Sequence, residues 1–134
     1  MSTVSKDVAE AEFARFIEAN ALLVETPGMS DEDRASFAEQ KTRITRAMEQ
    51  GALMINDQGE PVFTPQRTKD AEALTFHEPT GASLMAMDRR KRGEDIAKLY
   101  STMADMTRTD AKVFSKMAMA DLKVCMAVTA LFLA

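Results

Sequence analysis

The chain has 134 residues, 28% of them charged and 46% apolar, with a net charge of -4. That is room for one domain with a buried core, so disorder from end to end is excluded. Ten acids face six bases in residues 1–50, eight face seven in 51–100, and three face four in the rest, so no segment carries the concentrated positive field that a phosphate backbone needs.

Residues 5–23 have Val8, Phe13, Phe16, Ile17 and Leu23 mostly at helical spacing, and Thr26-Pro27-Gly28 breaks the pattern. Ser30 is placed to cap a second helix whose first turn holds Asp31, Glu32 and Asp33, acids that suit the positive end of the helix dipole. Phe37, Ile44, Ala47 and Met48 give that helix a thin apolar stripe as far as about Gln50, and Gly51 stops it.

The period then changes. Ala52–Ile55 and Pro61–Thr64 flank Asn56-Asp57-Gln58-Gly59, which reads as a hairpin, and Leu74–His77 is a candidate third strand. A patch of this size needs a helix packed on its apolar face. From Thr80 onward the chain reads as helical again. A helix capped by Thr80 carries Leu84, Met85 and Met87 into the basic run Arg89–Arg92, which suits a helix C-terminus. A helix over 94–106 presents Ile96, Leu99, Tyr100 and Met103 on one face, and Thr109 is placed to cap a short helix to Met117. The last helix, from about Asp121, is apolar almost all round. The expected fold is α+β and mainly helical, one domain over 1–134, with helices in 1–50 and 80–134 around short strands in 52–77.

Chemistry is hard to find in these residues. His77 is the one histidine, with no serine or cysteine at motif spacing, and Cys125 is the one cysteine, set in an apolar stretch. Neither a metal-ligand cluster nor a phosphate-cradling glycine loop is present, so no catalytic, cofactor-binding or metal site is expected. A lone cysteine fits a reducing compartment. The first twenty residues lack the apolar core of a signal peptide, and the eleven uncharged residues from Val124 are about half a membrane span. The eleven methionines are the compositional excess: adaptable side chains that fill core gaps or suit surfaces that must fit a partner.

The half from Leu74 to Ala134 resembles the tail assembly chaperones of long-tailed bacteriophages. The likeness rests on a short strand leading into Glu78-Pro79-Thr80-Gly81-Ala82-Ser83-Leu84, on Ile96-Ala97-Lys98-Leu99 and Met103-Ala104-Asp105-Met106 leading to Thr109, and on Met119-Ala120-Asp121-Leu122 opening an apolar closing helix that ends Leu131-Phe132-Leu133. The helical residues 1–50 and the heavy basic run Arg89–Arg92 depart from that pattern. The resemblance implies a non-enzymatic protein of the host cytoplasm, missing from the mature virion. It would hold the tape-measure protein soluble until tail-tube subunits polymerise, and it would self-associate. The spread of charge and the short apolar tail lead to the expectation of no nucleic-acid and no membrane partner.

On this reading the expected partner-binding residues are Leu84, Met85, Leu122, Met126, Val128 and Phe132, with plain core as the competing reading for the final helix. A structural connector or completion protein of a phage particle, or a small regulatory binding protein, remains an open alternative.

Overall fold

The computed structural model describes residues 3–22, 30–81, 83 and 95–133. The expected helix after Thr80, with Leu84, Met85 and the run Arg89–Arg92, lies largely outside the described residues. Helix α1 spans Lys6–Ala19 and α2 spans Asp31–Glu49. Strands β1 (Leu53–Ile55), β2 (Pro61–Phe63) and β3 (Leu74–Thr75) follow, then α3 (Asp95–Thr107), α4 (Lys112–Ser115) and α5 (Met119–Leu133). The architecture is α+β and mainly helical, as the sequence predicts.

The ends of the first two helices follow local chemistry. Ser5 Oγ accepts the Val8 amide at 3.2 Å, and Ser30 Oγ accepts the Asp33 amide at 3.1 Å, so each hydroxyl satisfies a donor that the helix leaves unpaired. At the C-terminus of α2 the Ala52 amide reaches Ala47 O and the Gly51 amide reaches Met48 O, with Gly51 at φ 78°. This is a Schellman end, and glycine adopts its left-handed residue without strain. Helices α1 and α3 end the same way without glycine, on Ala21 (φ 50°) and Arg108 (φ 57°). The first helix therefore stops at Ala19, short of the expected boundary at residue 23, because Ala21 takes the left-handed turn.

The sheet is an antiparallel meander in the order β1-β2-β3, with Leu53 opposite Phe63, Ile55 opposite Pro61, and Phe63 opposite Leu74. Leu53, Ile55, Pro61, Phe63 and Leu74 point inward, whereas Met54 is 64% exposed on the other face. Asn56 shapes the hairpin turn: its Oδ1 accepts the amides of Gln58 (3.0 Å) and Glu60 (2.9 Å). Helix α1 grips this turn. The Arg15 guanidinium donates to the carbonyls of Ile55 (2.6 Å) and Asn56 (3.0 Å), and Asn20 Nδ2 donates to Gly59 O at 2.9 Å.

One hydrophobic cluster runs from α1 through α2 and the sheet to α3, α4 and α5. Phe16 sits within it, edge-on to Phe132 of α5 at 5.3 Å between ring centroids. Met48, Met103, Met106 and Met117 are all buried in it, so most described methionines fill core gaps.

Two sequence expectations need correcting. The short helix begins at Lys112, and Asp110 Oδ1 takes the Lys112 amide (2.9 Å), while the Thr109 hydroxyl is engaged with Thr107 Oγ1 at 2.8 Å. Thr109 is thus no cap. The last helix starts at Met119, so Asp121 lies inside its first turn.

Candidate protein-binding surface

His77 Nδ1 lies 2.6 Å from Glu60 Oε2, and its amide donates to Met106 O at 2.9 Å, so the residue ties the hairpin to the end of α3. The hydrogen bond from Asn56, with the contact to His77 and the charge of Arg108, holds the Glu60 carboxyl below the ordinary glutamate value against the opposing effect of burial. Cys125 is buried with its Sγ 3.7 Å from Met117 Sδ, and burial pushes the thiol far above its ordinary value, away from thiolate chemistry. Among the described residues no three His, Cys, Asp or Glu side chains converge as metal ligands.

Asp121 is a latch. Its carboxylate, buried beneath the loop after β2, accepts the amides of Gln66 and Arg67 (both 2.9 Å) and the hydroxyl of Thr68 (2.7 Å). Thr68 Oγ1 in turn accepts the Ala118 amide at 3.0 Å, closing the loop onto the start of α5. Burial pushes the Asp121 carboxyl up, but these hydrogen bonds to the charged form outweigh it and leave the group below its ordinary value.

The expected partner-binding residues divide by place. Leu84 and Met85 lie outside the described residues. Leu122, Val128 and Phe132 are enclosed by the protein's own core, Val128 at 0% exposure, and Met126 is half-buried. The outward side of α5 carries Ala120, Lys123, Val124, Met126 and Ala130, with Met119 and Leu133 exposed at its ends. The sequence holds a signal for this face: Lys123 is the one charge between Leu122 and Leu133, and residues three, four and seven away share its side of the helix.

Beside that face lies α2. Gln50 and Ala47 line one end of the junction with Ala120, and Ser36 lines the other with Ala130, so the two helices run antiparallel. Between them are two open hollows of about 640 and 340 Å³ that adjoin at the Glu39–Arg43 pair and together make up the α2–α5 trough. Its floor is alkyl: Ala47, Ala120, Val124, Met126, Ala127 and Ala130. Its rim is polar, with Glu39, Arg43 and Arg46 on α2 and Lys123 on α5.

Among the described residues no helix is long and apolar enough to cross a membrane. No protein-family model, no curated protein and no solved structure matches the chain.

Proposed function

We propose that this chain is a non-enzymatic, protein-binding chaperone of phage tail assembly. It holds the tape-measure protein in the host cytoplasm until tail-tube subunits polymerise, and it leaves before the virion is complete. The observation that carries the reading is α5, whose inward side builds the core while its outward side lays alkyl groups along an open trough. A holding protein needs apolar surface without a closed pocket, so that a long client is bound and then released.

The resemblance over residues 74–134 supplies the identity of the client, and residues 1–50 supply α2, the second wall of the trough. The departure from the usual pattern is then part of the binding surface. Tagged protein captured from phage-producing cells tests this, with mass spectrometry of the captured complex and of purified particles. The reading expects a very long tape-measure-like protein in the complex and this chain missing from the particles. Stoichiometric presence in the particles would make it a structural component instead.

A further inference from the structure

The trough has a length, a floor and a charge, and together these define an occupant. On α2 it runs from Ser36 to Gln50, which is about 21 Å or four helical turns. An extended strand laid on this alkyl floor would leave backbone amides facing Val124, Met126 and Ala130 without partners, whereas a helix satisfies its own. Alanines at 38, 47, 120, 127 and 130 let a third helix approach closely and leave space for its medium-sized side chains.

The rim adds the sign. Arg43, Arg46 and Lys123 face a single lining carboxylate that is not buried, Glu39, and that carboxylate is tied to Arg43 at 3.1 Å. Arg46 and Lys123 form no ion pair among the described residues. The trough is therefore a positive site on a chain of net charge -4. Three cations over an alkyl floor suit acidic side chains flanking an apolar stripe better than a phosphate backbone, which wants an unbroken basic track.

We infer that the α2–α5 trough binds an amphipathic helix of about four turns whose apolar stripe is flanked by Asp and Glu. The inference rests on the proposed holding function and adds the chemistry of what is held. Its test does not depend on which protein is captured in cells, so the two can fail separately.

Two synthetic stapled helices of four turns serve as probes on the full chain, with the same Leu/Ala stripe and either Glu or Lys at every flanking position. Binding is read by fluorescence anisotropy. The Glu helix is expected to bind about tenfold or more tighter than the Lys helix, and to weaken as salt is raised. The double reversal Arg46→Glu/Lys123→Glu, at two exposed side chains whose replacement leaves the core intact, is expected to reverse that preference. Val124→Glu is expected to abolish binding of both. Failure of the Glu helix to bind the wild-type chain, equal affinity for the two, or indifference to the double reversal would overturn the inference. So would competition by a single-stranded oligonucleotide, which would make the site one for nucleic acid. A dimer abolished by Val124→Glu but untouched by the Glu helix would also overturn it, giving the trough to a second copy.

Discussion

Helices α2 and α5 lie side by side and are built on opposite principles. Helix α2 buries only Ile44, Ala47 and Met48 of its nineteen residues, and its polar side chains state plainly which face meets water. Helix α5 buries eight of fifteen, and its remaining side chains are apolar apart from Lys123. An amphipathic helix declares its orientation in sequence, whereas a helix apolar on all sides does not. The second kind is also the kind that keeps alkyl surface available after folding, and the trough exists because one kind of helix abuts the other.

The largest effect is expected from placing the same charge on the two sides of α5. Val128→Glu buries an unpaired carboxylate in the core and is expected to cost about 4 kcal/mol or more, enough to unfold the chain in a thermal or urea melt. Val124→Glu, on the trough side, is expected to change stability by about 1 kcal/mol or less. Equal losses at both positions would mean that α5 has no outward side.

Next in size is the latch at the start of α5. Asp121→Asn keeps the shape but turns an amide group toward the donors of Gln66, Arg67 and Thr68, with an expected loss of about 2–4 kcal/mol. The folded carboxyl titrates below its ordinary value, so its stabilisation is fully present above the unfolded value near 3.9 and is lost as pH falls through the lower folded value. Acid unfolding of the variant should therefore be shallower than that of the wild type over this range.

Two backbone positions give smaller and opposite effects. Gly59 sits at φ 79°, and a β-carbon there would fall 2.5 Å from Ala19 Cβ, so Gly59→Ala is expected to destabilise by about 1–3 kcal/mol in a urea melt. Ala21 occupies a left-handed position that glycine adopts freely, so Ala21→Gly is expected to stabilise by up to about 1 kcal/mol in the same measurement.

Much of the fold was legible because its signals are local. Ser30 before three acids marks the start of α2, Gly51 marks its end, and the change of period after it gives the hairpin with its turn at Asn56. The end of α1 was not legible, because Ala21 takes a left-handed conformation that its residue type disfavours, whereas α3 ends at Thr107, within a residue of the expected boundary. Asp121 reads locally as a helix-start residue, yet its carboxylate serves a loop fifty-three to fifty-five residues earlier in the chain, a partnership that no spacing rule contains. The surface was partly legible. The weight of apolar residues in 122–133 is evident, but in a helix apolar all round the residue type does not separate Leu122, Val128 and Phe132, which the core takes, from Met126, which it leaves half-buried. The outward side goes to Ala120, Val124, Met126 and Ala130 around Lys123.

Tagged wild-type and Val124→Glu chains, expressed side by side in phage-producing cells and checked for equal melting temperature, test the holding surface in the cell. If the trough is the holding surface, the wild type recovers a very long helical client, the folded variant does not, and neither chain appears in purified particles. Equal recovery by both chains would contradict it, placing the holding surface elsewhere, as would finding the wild-type chain built into the particles.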